Sequence, residues 1–155
     1  MKKISVIFPI YNEQERLDKL FKSLINFNKS KKKISSEIIF VNDGSTDLSE
    51  EKIIKFLKKI KKGKNIFKLI NSKKNLGKGH ALKLGIKNAK YNWILTIDSD
   101  LSVSLDQLFQ WIKTYNFKDN FAYFGSRNHP KSKIKYKYYR KLIGNILQTL
   151  VFIFI

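Results

Sequence analysis

The chain has 155 residues, enough for one domain with a real core but small for an α/β enzyme. It has no cysteine, which excludes disulfides, thiolate catalysis and cysteine-held metals and fits a reducing compartment. Its 32 basic residues against 12 acidic ones give a charge of +20, which suits a polyanionic partner such as nucleic acid, anionic lipid or a phosphorylated substrate. Only Arg16, Arg127 and Arg140 are arginine, however, and readers of nucleic acid favour arginine for bidentate contacts. Solvated lysine faces explain most of the charge, and no specific nucleic acid is expected.

Ile4 to Phe8 reads as a first strand, stopped by Pro9. With Met1-Lys2-Lys3 it mimics the start of a signal peptide, but the apolar stretch is too short and has no small-residue cleavage site. Leu17, Leu20, Phe21, Leu24 and Ile25 recur at helical spacing, predicting a helix that ends near Lys31-Lys32-Lys33. Glu37 to Asn42 is a second strand. After the turn at Asp43-Gly44-Ser45, Asp47 with Glu50 predicts a capped helix whose inner face is Ile53, Ile54, Leu57 and Ile60. Further expectations are a strand over Ile66–Ile70, a helix over Gly79–Ala89, a buried strand over Trp93–Ile97, a helix over Leu105–Tyr115 and a strand over Phe121–Ser126. Alternating strands and helices predict an α/β fold with a mostly parallel sheet covered on both faces.

Open α/β sheets bind ligands beyond the carboxyl ends of their strands, and polar motifs gather there in this chain. Strand one runs into Pro9-Ile10-Tyr11-Asn12-Glu13, and strand two into Asn42-Asp43-Gly44-Ser45-Thr46-Asp47. Strand three leads to Asn75-Leu76-Gly77-Lys78-Gly79-His80, and strand four to Asp98-Ser99-Asp100. Any one of these fits an ordinary turn, and Asp98-x-Asp100 in particular fits an Asx turn capping the next helix. Four on one rim describe a site. Two carboxylates at a strand end suit Mg²⁺ or Mn²⁺, which take oxygen ligands and leave room for substrate phosphates. Gly77 and Gly79 allow a tight path into a helix N-terminus, which favours anions, and Lys78 adds a point charge for a diphosphate. His80 reads equally as a surface residue or a ligand.

This ordered set resembles the family 2 glycosyltransferases of GT-A fold, over about Ile4 to Arg127. Within that family, Gly77-Lys78-Gly79 and Gly125-Ser126-Arg127 look most like the polyprenyl-phosphate branch, which includes dolichyl-phosphate glucosyl- and mannosyltransferases. The resemblance implies a GT-A, Rossmann-like sheet between helices and a nucleotide-sugar donor of UDP-glucose or GDP-mannose type. Pro9, Tyr11, Glu13, Asp43, Gly77, Lys78 and Asp98 would bind that donor, with Tyr11 and Glu13 near the nucleoside and Asp43 accepting from the base N–H. Asp98 and Asp100 would hold the metal, and Arg127 would add charge at the diphosphate or at an acceptor phosphate. The implied acceptor is polyprenyl phosphate, an oxyanion that needs no general base. That agrees with the lack of a clear base at Asp106 or Asp119.

The branch continues with an Asp-Thr-Gln-x-Gly-like segment that this chain lacks, so the resemblance implies the N-terminal part of a longer enzyme. The expected organisation is a nucleotide-sugar-binding domain over 1–130, then a basic and apolar helical segment over 131–155. Lys131 to Lys141 followed by Leu142, Ile143, Ile146, Leu147, Leu150 and Val151 suits an anionic membrane surface, and hence a peripheral place on the cytoplasmic face. Packing on a missing remainder of the domain is the alternative. Two other functions compete: transfer to a saccharide acceptor in polysaccharide synthesis, and a non-catalytic nucleotide-binding or basic binding module. A sugar nucleotidyltransferase is disfavoured by Pro9-Ile10-Tyr11 where its glycine-rich loop belongs, and an oxidoreductase by the lack of Gly-x-Gly-x-x-Gly.

Overall fold

The computed structural model describes residues 3–29, 35–61 and 65–114, with scattered positions between 122 and 151. The elements in chain order are β1 (Lys3–Ile10), α1 (Leu17–Lys29), β2 (Ser35–Asn42), α2 (Ser49–Lys59), β3 (Ile66–Asn71), α3 (Lys78–Lys87), β4 (Trp93–Thr96) and α4 (Leu105–Thr114). The chain forms two compact units, Met1–Asn116 and Phe117–Ile155. The expected strand over 121–126 lies outside the described residues apart from Ala122 and Gly125, as does Arg127.

The four described strands are parallel, in the order β3-β2-β1-β4. The chain builds outward from β1 to β3, then returns past β1 to lay β4 on its other side. Strand order therefore reverses between β1 and β4, where an open α/β sheet leaves a crevice beyond its strand ends. Buried Val6, Phe8 and Ile10 of β1 join Leu17, Leu20, Leu24, Phe27, Ile53, Phe56 and Leu105 in one core beneath α1, α2 and α4. The stacked rings of Phe21 and Phe56, 4.3 Å apart, join α1 to α2, and Phe40 of β2 meets both edge-on. On the opposite face Ile7, Ile39 and Val41 pack with Ala81 of α3. A Cβ on Gly85 would stand 2.6 Å from Ile7 Cγ2, so the missing side chain lets α3 approach the sheet.

Pro9 does not stop β1 but pairs with Val41 inside it. Parallel ladders bond alternate residues to alternate neighbours. The Ile10 carbonyl accepts from Asp43 on the β2 side and the Ile7 carbonyl from Ile97 on the β4 side, so Pro9 faces the β4 side. It lies beyond the last β4 pair, Ile7 with Thr96, where its missing N–H breaks no ladder bond. The helix faces also differ from expectation: Ile25 and Ile54 are exposed, and Phe27 and Phe56 are buried instead. β4 is an edge strand among the described residues, with Ile94 and Thr96 exposed rather than buried.

Glu37 is a fully buried carboxylate on β2. It accepts from Ser5 Oγ at 2.7 Å and from the Lys90 amide at 2.6 Å, and it pairs with Lys68. β1, β2, β3 and the segment after α3 thus meet at one side chain. Burial pushes the Glu37 carboxyl up, but the bonds from Lys68, Lys90 and Ser5 outweigh it and hold the carboxyl below its ordinary value. A carboxylate depressed in the folded state contributes stability that is present above its unfolded pKa and lost as pH falls through the folded one. Glu37→Gln should cost about 2 kcal/mol near neutral pH. In urea titrations this variant should also lose less stability than the parent on acidification below roughly pH 5. Parallel pH profiles for the two proteins would contradict this account.

Candidate active site

The loops after β1 and β2 are laced together by the side chains of the two sequence motifs. Ser45 Oγ accepts from the Asn12 amide, Ser49 Oγ from the Glu13 amide, and Asp47 Oδ2 from the Gln14 amide. In return, Asn12 Oδ1 accepts from the Thr46 amide and Gln14 Oε1 from the Leu48 amide. Asn12 takes a positive φ of 53°, which asparagine tolerates better than most residues. The expected capping box does not form. Asp47 Oδ1 accepts from the Ser49 amide two residues on, while Glu50 accepts from the side-chain amides of Asn42 and Asn71. Burial pushes the Asp47 carboxyl up, but the bonds from Ser49 and Gln14 outweigh it and keep the carboxyl below its ordinary range.

Beside this lacing, Gly44 has a φ of +67°, and a Cβ there would stand 2.4 Å from the Lys74 backbone. Only glycine lets the 72–77 segment come so close. That contact brings the Leu76 amide to Asp43, whose Oδ1 accepts it at 3.2 Å. Gly77, at a φ of +89°, precedes α3 and donates its amide to Asn75 Oδ1. Lys78 opens the helix, and its Nζ lies 2.6 Å from Asp98 Oδ1, just past β4.

These ends enclose a cleft of about 340 Å³ at the strand-order reversal. Pro9, Tyr11, Glu13, Asp43, Gly77, Lys78, Asp98 and Asp100, all named from sequence, line it together. Asp43 is 2% exposed, so its carboxylate is held at the floor, whereas Tyr11 at 45% leaves a ring face open at the rim. The Glu13 carboxylate is not free for a ligand: both its oxygens lie 2.9 Å from Arg16 Nη1. Asp100 follows the turn reading, accepting from the Ser102 amide and hydroxyl at 2.8 Å. Leu101 beside it has a φ of 54°, uncommon for a non-glycine residue. Ile97, Asp98 and their neighbours thus end β4 in a tight turn whose carboxylates border the cleft.

From sequence, three of the lining residues have no individual role. Arg16 and Asn75 line the cleft, and buried Ser99 sits between the two carboxylates. Arg16 was identifiable as the cation three residues after Glu13, and Asn75 and Ser99 stand inside the strand-end motifs read from sequence, where neither residue type announces a contact of its own. His80 lies beside Asp43, its buried Nδ1 4.0 Å from Asp43 Oδ1 and without a hydrogen-bond partner among the described residues.

A parallel sheet of this order, with its cleft at the reversal and an Asp-x-Asp turn after β4, defines an α/β domain of the GT-A class. Solved structures agree. Staphylococcus aureus TarS (residues 1–349), crystallised with UDP, superposes with a TM-score of 0.53 at 29% identity over 64% of this chain and 28% of that one. A mannosyltransferase from Pyrobaculum calidifontis gives a TM-score of 0.54 at 22% identity over 63% of this chain and 27% of that one, a likeness of fold. The family model for glycosyl transferase family 2 matches residues 5–153, and the chain belongs to that family. Its relatives include a dolichyl-phosphate beta-glucosyltransferase of Trichomonas vaginalis, 31% identical over 96% of this chain and 47% of that protein. Another is the poly-beta-1,6-N-acetyl-D-glucosamine synthase of Staphylococcus aureus, 30% identical over 94% of this chain and 35% of that protein. The chain thus spans half or less of the relatives' length.

Asp47→Ala would leave the Gln14 and Ser49 amides without their acceptor, at a cost of about 1–3 kcal/mol of folding stability. Urea denaturation checks this, and a change within about 0.5 kcal/mol would show that the lacing is ornamental.

Proposed function

We propose that this chain is the donor-binding part of a glycosyltransferase that moves a sugar from a UDP- or GDP-sugar to an acceptor, polyprenyl phosphate first among the candidates. The observation that carries the reading is the convergence of Tyr11, Asp43, Lys78, Asp98 and Asp100 on one cleft from four separate chain segments. Each supplies what one part of a nucleoside diphosphate sugar requires. The exposed ring of Tyr11 offers a stacking face for a base. Asp43, fixed through one oxygen by Leu76, offers the other as acceptor for a base N–H. The N-terminus of α3 and the Lys78 ammonium lie where a diphosphate would follow. The structures of TarS with UDP and with UDP-GlcNAc support a nucleotide sugar as ligand.

The carboxylates fit a divalent cation completed by substrate oxygens. Asp98 and Asp100 border the cleft, and among the described residues no three acidic or histidine side chains gather into an all-protein cage. Two carboxylates plus phosphate oxygens form a donor set that Mg²⁺ commonly takes. Once bound, Mg²⁺ or Mn²⁺ would supply Lewis-acid stabilisation of the departing diphosphate. The chain's own part is to bind and orient. In the transfer, the bond from the anomeric carbon to the β-phosphate oxygen breaks, and its electron pair leaves with the nucleoside diphosphate. An acceptor oxygen forms the new bond. A phosphate acceptor is already an oxyanion, which removes the need for a general base. The dolichyl-phosphate relative supports that acceptor, and the poly-N-acetylglucosamine relative supports a saccharide as the second reading.

A membrane location follows from the acceptor. In the second unit, Tyr139, Leu142, Ile143, Ile146, Leu147 and Val151 are helical, and each keeps more than half its surface exposed. The 131–141 segment, in which Tyr139 lies, is basic, so this stretch suits an anionic surface on the cytoplasmic side. Among the described residues no helix is long and apolar enough to cross a membrane.

A thermal-shift panel of UDP, GDP, UDP-glucose and GDP-mannose, with and without Mn²⁺, should stabilise the chain with one nucleoside preferred. Asp43→Ala should weaken that nucleotide by about tenfold or more, the loss expected on removing a charged hydrogen-bond acceptor. Affinity within about twofold of the parent would reduce Asp43 to a turn former. The chain should also sediment with anionic liposomes, less so at high salt and not when it ends before Leu142. Equal sedimentation of the full and shortened chains would leave only lysine charge as the cause.

A further inference from the structure

The Asp98 carboxylate has a cation of the chain's own beside it. Lys78 Nζ lies 2.6 Å from its Oδ1, and the two side chains are 61% and 58% exposed. The pair stands between the main cleft and a smaller cavity lined by Pro9, Leu82, Thr96 and Ile97, since Lys78 and Asp98 border both. Asp100 is engaged by Ser102. Neither carboxylate of the Asp-x-Asp turn is therefore bare.

We propose that Lys78 is a surrogate cation that holds Asp98 until the donor arrives, so that divalent metal and nucleotide bind as a coupled pair. The proposal rests on the donor-binding reading above and adds an exchange of partners to it. Metal arriving alone has to displace an ammonium from Asp98 and leaves that ammonium without a counter-charge. A nucleoside diphosphate arriving alone either forgoes Lys78 or draws it away and sets its own negative charge against bare Asp98. Arriving together, the two ligands complete the exchange: Lys78 turns to the diphosphate and Asp98 to the metal. Both side chains are largely exposed and Lys78 has a flexible four-carbon stem, so the swap needs only rotamer changes. By linkage, nucleotide tightens metal by the same factor by which metal tightens nucleotide.

The test is titration of the full chain with Mn²⁺ alone, then with UDP or GDP in the absence and presence of Mn²⁺, at fixed ionic strength. The proteins are the parent, Lys78→Met, and Lys74→Met, a control for an exposed lysine in the same segment. Lys78→Met should bind Mn²⁺ alone about two- to fivefold more tightly than the parent, the range set by an exposed ion pair. Lys74→Met should match the parent, and the factor by which nucleotide tightens Mn²⁺ should shrink in Lys78→Met alone. The proposal is overturned if Lys78→Met binds Mn²⁺ no more tightly than the parent, if Lys74→Met gains as much, or if none of the three binds Mn²⁺. Failure of the donor reading is separate: neither UDP nor GDP would then bind the parent, whatever Mn²⁺ does alone.

Discussion

The lacing of the β1–α1 loop to the β2–α2 loop is the constraint on which the cleft depends. A parallel sheet ends in loops whose backbone amides have lost their ladder partners, and buried or half-buried amides must be satisfied. Here Ser45, Asp47 and Ser49 accept from three successive amides, those of Asn12, Glu13 and Gln14, and Asn12 and Gln14 return two bonds. Five cross-loop bonds fix the β1 end against the β2 end. Tyr11 and Asp43 are then presented from neighbouring strands with little freedom left to lose. Pre-organisation of this kind reduces the ordering cost of binding.

The second constraint is topological. The chain returns past β1 to place β4, so the Asp-x-Asp turn arrives beside the β1 end rather than at a distant edge. α3 lies on the opposite face from the other helices, drawn close by Gly85, and its first residue reaches that turn. One cleft therefore gathers negative charge from Glu13, Asp43, Asp98 and Asp100, and positive charge from Lys78 and from Arg16, which is paired with Glu13. Such mixed polarity suits a ligand that carries a hydrogen-bonding base at one end and a diphosphate with its cation at the other. It suits a uniform polyanion poorly, which agrees with the scarcity of arginine in so basic a chain.

Much of this was legible in the sequence because strand-end motifs and apolar runs are local signals. Phe40 and its neighbours read as a buried strand because β2 is central and covered on both faces. What was not legible depended on partners far along the chain. Pro9 reads as a stop unless β4 is known to end before it. Ile25 and Phe27 both fit a helical stripe, and so do Ile54 and Phe56; the aromatic residue wins in each case where the sheet beneath supplies ring partners or depth. Asp47 and Glu50 spell a capping box, yet the facing loop and Asn71 offer better-placed donors. Glu37 reads from sequence only as the start of the second strand, and its register beside Ser5 and the reach of Lys68 make it a buried staple.

Nuclear magnetic resonance would test the central claim most directly. The chain is 18.3 kDa, and amide shifts can be followed as a UDP- or GDP-sugar is added with Mg²⁺. The account predicts shifts concentrated at the β1 end around Tyr11, at Asp43 and Gly44, over Asn75 to Ala81, and at Asp98 to Asp100. Shifts spread over the exposed lysine faces, or none at those four segments, would contradict it.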